Sequence, residues 1–202
     1  MYKNIIFDLG NVLLTFDPEE YLNKIIDDKN KISIIYNAIF KSDEWPMLDR
    51  GTLTQEEAKR NIMSRYKDYA KSIELAFDNW IKSILTPIED TVKILTELKE
   101  KGYKIYYLSN FHELAFDYVT SEFSFFKLFD GGIVSYKENL LKPEKEIYNR
   151  ILDEYKLSAK ESIFIDDMLP NIEGAKLAGL STILFKSPSD LSEKLGNMLD
   201  NM

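Results

Sequence analysis

Asp8, Ser109, Lys142 and the pair Asp166-Asp167 are groups that one reaction could use together, and each stands where an apolar run stops or turns. Asp8 closes Ile5-Ile6-Phe7; Ser109-Asn110 follows Ile105 to Leu108; Lys142-Pro143 follows Leu140-Leu141; Asp166-Asp167, with Asn171 just beyond, follows Ile163-Phe164-Ile165. A carboxylate can attack an electrophile covalently. Further carboxylates offer the oxygen ligands that Mg²⁺ prefers. A hydroxyl, backbone amides and a lysine can together hold three phosphoryl oxygens. Residues Leu9 to Leu14 hold only one glycine, too few for a phosphate-wrapping loop. Taken singly, each position has a plainer reading: a turn aspartate, a turn serine, a solvated lysine before a helix-starting proline, a capping pair of aspartates. Only their convergence in space would favour chemistry.

The elements needed for convergence are legible. The run before Asp8 is short, bounded and rich in Ile and Phe, which predicts a buried strand. Strands are also predicted over 104–108, near 133–134, over 162–165 and over 181–185. Between them lie predicted helices over about 88–101, stopped by Gly102, somewhere after Ser109-Asn110, over 144–155, ending near Gly179, and from about Leu191. Strands alternating with helices predict an α/β fold: a Rossmann-like parallel sheet covered by helices on both faces. In such a sheet all strand carboxyl ends share one edge, which is where ligands bind. From about 18 to 86 the pattern is helical throughout, with apolar spacing over Tyr21–Ile26, Ile34–Phe40 and Gln55–Tyr69. Thr54 followed by Gln55-Glu56-Glu57 predicts a capped helix start, after a turn at Gly51. The expected organisation is a core domain of residues 1–16 and 88–202, with residues 17–87 inserted as an all-helical cap domain. The first crossing, up to Phe16-Asp17-Pro18, reads as hairpin-like.

Composition narrows the partners. Among 202 residues, 26 basic and 34 acidic side chains give a net charge of −8. Nucleic acid and anionic membranes are therefore not expected partners, because both need a basic surface. A small phosphorylated metabolite remains compatible, if a lysine and a metal ion offset its charge. Cysteine is absent, which excludes disulfides and thiolate chemistry. No signal peptide or membrane helix is read, so a cytoplasmic location is expected. Oligomeric state is unknown from the sequence.

Four stretches, IIFDLGNVLL, YYLSN, LLKPEKEIY and FIDDMLPNIEGAKLAG, together resemble the haloacid dehalogenase-like hydrolase superfamily. The order and separations match, and the resemblance covers the whole chain, with the helical insertion where that family carries its cap. The FDLGNV opening and FxDD motif are most similar to its sugar phosphatases of the α-D-glucose-1-phosphate phosphatase type. The resemblance implies that Asp8 is a nucleophile forming an aspartyl-phosphate. It implies that Ser109 and the Asn110 backbone N–H bind phosphoryl oxygens, and that Lys142 neutralises charge on both. Mg²⁺ would be held by Asp8, the Gly10 carbonyl, Asp166 and Asp167, with Asn171 steadying the acidic pair. Asn11, Ser109, Asn110 and Lys142 are the residues expected at the substrate.

One departure stands out. Phosphatases of the family usually carry a second aspartate two residues after the nucleophile, as general acid and base, and that position is Gly10 here. A positioned proton donor contributes roughly 10²–10⁴ in rate. Turnover is then slow, or the leaving group departs easily as from a sugar 1-phosphate, or another residue substitutes. His112, the only histidine, is a candidate, although an exposed residue near a helix start is its plainer reading. Asn11 can orient water but cannot exchange protons at neutral pH. The same glycine admits a metal-independent 2-haloacid dehalogenase, and a third option is a non-catalytic member that binds a phosphometabolite or protein. Two adjacent carboxylates beside a carboxylate nucleophile repel unless a cation sits among them, which favours the magnesium-dependent phosphatase. In the cap, Trp45, Asp49, Arg50 and Tyr21 are candidates for reading the leaving group; surface pairing for Arg50 and cap core for the aromatic residues are the plainer expectations. Hinges are expected near Phe16–Pro18 and Leu85–Pro87.

Overall fold

The structure is a computed structural model describing residues 1–199. Five strands, β1 (Asn4–Phe7), β2 (Lys104–Ser109), β3 (Gly131–Val134), β4 (Ser162–Asp166) and β5 (Ser181–Leu184), form one sheet in the order β3-β2-β1-β4-β5. Every pairing is parallel. β1 and β4 are buried at every residue, as expected where helices cover both faces and strands read as continuous apolar runs. Alternate residues of β1 feed two separate cores. Ile5 and Phe7 join Leu95, Val119 and Leu191 on one side, and Ile6 joins Ile147, Phe164 and Ile172 on the other.

Among the described residues, six α-helices belong to the alternating part of the chain: α6 (Glu89–Glu100), α7 (Glu113–Glu122), α8 (Ser135–Glu138), α9 (Lys145–Glu154), α10 (Leu169–Leu177) and α11 (Pro188–Leu199). The α/β class is as the sequence reading has it. Between β1 and α6 lie α1 (Pro18–Ile25), α2 (Lys29–Phe40), α3 (Glu44–Arg50), α4 (Gln55–Arg65) and α5 (Ala70–Ile84), with no strand among them. Their apolar faces, including Leu22, Ile35, Ala58, Ile73 and Trp80, continue the same core that underlies β1. Thr54 caps α4 as expected, with its hydroxyl and backbone N–H engaged by Glu57.

Three local expectations are revised. Residues 8–17 are not a hairpin. Leu9 to Leu14 form a tight turn closed on the Leu9 carbonyl, and Leu14 pairs antiparallel with Pro87. Thr15 N donates to Thr86 O (2.8 Å) and Ile88 N to Leu13 O (2.9 Å), so the outgoing and returning crossings are joined side by side. A partner so distant along the chain leaves no local signal. The helix read over 55–69 stops at Arg65 and continues as a 3₁₀ turn, Lys67–Tyr69. The last helix begins at Pro188, where the Ser187 hydroxyl accepts from Asp190 N. Among the described residues no helix is long and apolar enough to cross a membrane.

Candidate active site

β1 lies at the centre of the sheet, and its register sets Phe7 opposite Tyr107 of β2 and Ile165 of β4. The next residue, Asp8, therefore emerges between the ends of both neighbours. Its Oδ1 accepts from Ser109 Oγ at 2.6 Å and from Leu9 N at 2.7 Å. Lys142 Nζ lies 2.8 Å from the same oxygen and 2.6 Å from Asp166 Oδ2. Asp166, fully buried, also accepts from Met168 N (2.8 Å) and from Asn171 Nδ2 (3.0 and 3.1 Å). Asn171 thus reaches both oxygens of Asp166.

The loop carrying Lys142 is held by a contact that sequence reasoning missed. Asn110 Oδ1 accepts from Lys142 N (2.8 Å) and Asn110 Nδ2 donates to Lys142 O (3.1 Å), so the amide side chain fixes the lysine backbone on both sides. Nothing in the sequence distinguishes that amide from a turn asparagine. Asn11 has φ 53, a left-handed conformation that asparagine tolerates. Its Oδ1 accepts from Phe16 N at 3.0 Å, and its side chain favours the ionised form of Asp167.

Oxygens of Asp8, Asp166 and Asp167 lie within 4.8 Å of one another, close enough to share one ion. Burial pushes Asp8 up to about 7, with Lys142 opposing and Asp166 adding to the rise. Asp167 is raised too, by burial and then by Asp166. For Lys142 burial works against the charge, yet Asp8 and Asp166 outweigh it and hold the ammonium above its ordinary range. Three carboxylates against one ammonium leave a negative excess that a divalent cation with hard oxygen ligands would offset.

A cavity of about 200 Å³ opens above these groups, lined by Asp8, Gly10, Asn11, Ser109, Asn110, Lys142, Asp167 and Asn171. Asp166 sits behind the lining, against Lys142. The other wall is apolar and partly supplied by α3 and α5: Phe16, Trp45, Trp80, Leu85, Phe111 and His112, with Asp49 as its one carboxylate. Trp45 is both packing and wall, its ring 4.7 Å from Phe40 and 5.4 Å from Trp80. His112 is not the exposed residue that its place before α7 suggests. It is buried, stacked on Trp80 at 4.7 Å, and burial pushes its imidazole down to about 3. A ring neutral at physiological pH cannot donate as an imidazolium. Tyr21 stands away from the cavity, its hydroxyl donating to Ala76 O (2.9 Å). Arg50 does not line it either and grips Glu144.

Comparison with known proteins agrees with this geometry. The chain matches the haloacid dehalogenase-like hydrolase family over residues 2–179. The sesquiterpene phosphatase astK of Aspergillus oryzae is 28% identical over 179 residues, 89% of this chain and 87% of that protein. The D-ribitol-5-phosphate phosphatase of Bacteroides thetaiotaomicron is 23% identical over 218 residues, covering 100% of each. A family enzyme from Bacteroides thetaiotaomicron, solved with magnesium and inorganic phosphate, shares 26% identity at TM-score 0.69 over 92% of this chain and 95% of that one. Sheet order, strand-end residues and family match agree: the chain belongs to the haloacid dehalogenase-like hydrolases.

Proposed function

We propose that the protein is a magnesium-dependent phosphatase that hydrolyses a small phosphorylated metabolite through an aspartyl-phosphate on Asp8. One observation carries this reading: Asp8, Asp166 and Asp167 crowd within 4.8 Å beside the Ser109 hydroxyl and the Lys142 ammonium. A haloacid dehalogenase needs the carboxylate nucleophile but has no use for an acidic cluster of this kind. Relatives support the reading, since two are named as phosphatases and a structural neighbour was solved with magnesium and phosphate.

In this mechanism the bound Mg²⁺ would supply charge neutralisation and orientation of the phosphoryl group. Asp8, Asp167 and the Gly10 carbonyl would hold it. Asp166 would act mainly from behind, because Lys142, Met168 N and Asn171 already occupy its oxygens. The free Asp8 oxygen attacks phosphorus. Ser109 and the Asn110 N–H bind the equatorial oxygens, and Lys142 offsets charge on nucleophile and phosphoryl group alike. Residues 17–87 serve as a cap over the core of residues 1–16 and 88–202. Their paired crossings, joined through Thr15 and Thr86, form the hinge, and closure excludes water from the site.

For the leaving group we favour a sugar or polyol phosphate. The relative named for D-ribitol-5-phosphate covers the full length, and aromatic faces such as Trp45 suit the apolar face of a sugar. The relative named for sesquiterpenes makes an apolar phosphate the sharpest control. The test is a panel of sugar 1-phosphates, sugar 6-phosphates, polyol phosphates, nucleotides, acyl phosphates and a prenyl phosphate, each with Mg²⁺ and with EDTA. Phosphate release that EDTA abolishes, highest on a sugar or polyol phosphate, is expected. Release unaffected by EDTA contradicts the metal role, and no release from any member contradicts the phosphatase reading.

A further inference from the structure

We propose that Asp49 is the general acid and base of this site, reaching in from α3 to do the work of the aspartate that Gly10 replaces. The inference rests on the phosphatase reading above.

The geometry points to Asp49 in three ways. It lines the same cavity as Asp8, Gly10 and Lys142, and it is the only carboxylate on the wall that does not belong to the acidic cluster. Its own carboxyl has no hydrogen-bond or ion-pair partner among the described residues. Space also remains beside the nucleophile, because a Cβ added to Gly10 would meet nothing within 4 Å. A leaving group or water filling that space shares one cavity with Asp8 and Asp49.

The backbone around Asp49 is held by bonds from outside α3. Ser135 Oγ donates to the Asp49 carbonyl. Arg50 Nη1 donates to Asn139 O (3.0 Å), Asn139 Nδ2 donates to Arg50 O (2.9 Å), and the Arg50 guanidinium pairs with Glu144. Gly51, at φ 74, lets α3 end directly against α8, where any side chain would strike the Tyr136 carbonyl. These bonds tie Asp49 to residues 135–144, the segment that also delivers Lys142. Such precision is what a proton-transfer group needs.

The proton affinity fits the task. Burial, and then the Asp8 charge, push the Asp49 carboxyl up to about 7, with Lys142 opposing. A group that gives a proton and then takes one works best with both forms populated at the working pH. His112, pushed down to about 3 by burial, cannot give one there.

In the first step an Asp8 oxygen bonds to phosphorus and the bond from phosphorus to the leaving oxygen breaks. The leaving oxygen keeps that electron pair and takes the Asp49 proton, giving the alcohol, an aspartyl-phosphate and ionised Asp49. In the second step Asp49 removes a proton from water as the water oxygen bonds to phosphorus. The bond from phosphorus to Asp8 breaks, its pair returning to the carboxylate, and inorganic phosphate departs with Asp49 reprotonated.

The test compares wild type, Asp49→Asn and Gly10→Asp/Asp49→Asn on aryl and alkyl phosphates of graded leaving-group basicity, with Mg²⁺. Asp49→Asn is expected to lose roughly 10²–10⁴ in kcat on alkyl phosphates. It should lose little in formation of the aspartyl-phosphate from 2,4-dinitrophenyl phosphate, whose leaving group needs no proton. Gly10→Asp, placed in open space, should restore alkyl phosphate turnover. An equal loss on every leaving group, or no loss on any, overturns the role of Asp49 while leaving the phosphatase reading intact. A wild type inactive on all of them overturns the phosphatase reading itself.

Discussion

The two walls of the cavity are built on different principles. The sheet edge is a polar nest in which Asp8, Ser109, Lys142, Asp166 and Asn171 satisfy one another through contacts of 2.6 to 3.1 Å. The facing wall of Phe16, Trp45, Trp80, Leu85 and His112, partly supplied by the lobe, offers ring faces and almost no hydrogen bonds. In the proposed mechanism one wall would bind charge and the other would exclude water. Charge interactions strengthen as the surrounding dielectric falls, so in that mechanism the apolar wall would raise the effect of the polar one without touching the phosphoryl group.

The comparison breaks most readily at the lysine. Lys142→Met leaves two buried carboxylates uncompensated, and removing one partner of a buried charge cluster costs about 3–5 kcal/mol. Denaturant unfolding without metal should register that loss, and kcat should fall by about 10²–10³, as when a positioned electrostatic group is lost. A stable, active Lys142→Met protein would mean that the nest does not depend on its cation.

Metal removal sharpens the same point through pH. Burial raises Asp8 from 3.8 to about 7, so without metal the folded protein binds a proton there more tightly than the unfolded chain. Stability then falls as pH rises from about 4 to about 7. Asp49, raised over the same range, adds to the slope. Saturating Mg²⁺, which favours the ionised Asp8, should flatten it. Thermal unfolding at several pH values, with EDTA and with Mg²⁺, measures both slopes; identical slopes would contradict a cation between the carboxylates.

The smallest effect is expected where the two walls are latched. The Arg50 and Glu144 side chains are 33% and 34% exposed, and such pairs contribute about 0.2–1 kcal/mol. Arg50→Ala should shift stability within that range and lower kcat/KM by no more than about fivefold, the factor that 1 kcal/mol represents. A much larger fall in kcat/KM at unchanged stability would show that the latch positions Asp49 more strictly than its exposure suggests.

The two walls also differ in how far the sequence reveals them. Parallel strands share a carboxyl edge by topology, so Asp8, Ser109 and Asp166 had to meet once their strands were recognised, and the loop holding Lys142 comes after α8, which leaves the same edge at the end of β3. Helical periodicity marks Trp45, Trp80 and Tyr21 alike as apolar, but it does not say which neighbour each will face. Trp45 and Trp80 turn to the cavity, whereas Tyr21 is spent on the Ala76 carbonyl. His112 looks exposed from its position before a helix and is buried because two indoles from the lobe cover it. The grip of Asn110 on the Lys142 backbone, like the pairing of Leu14 with Pro87, joins distant segments and leaves no local trace.

The proposed chemistry turns on Asp8, whose carboxylate oxygen would take the phosphoryl group. Quenching the enzyme during turnover with Mg²⁺ and a substrate found by the panel, reducing with borohydride and sequencing the peptides reads this directly. Homoserine at position 8, absent from the Asp8→Asn protein and from enzyme quenched without substrate, is the expected result. Sustained phosphate release with residue 8 unmodified throughout, or with the label on another residue, would contradict it.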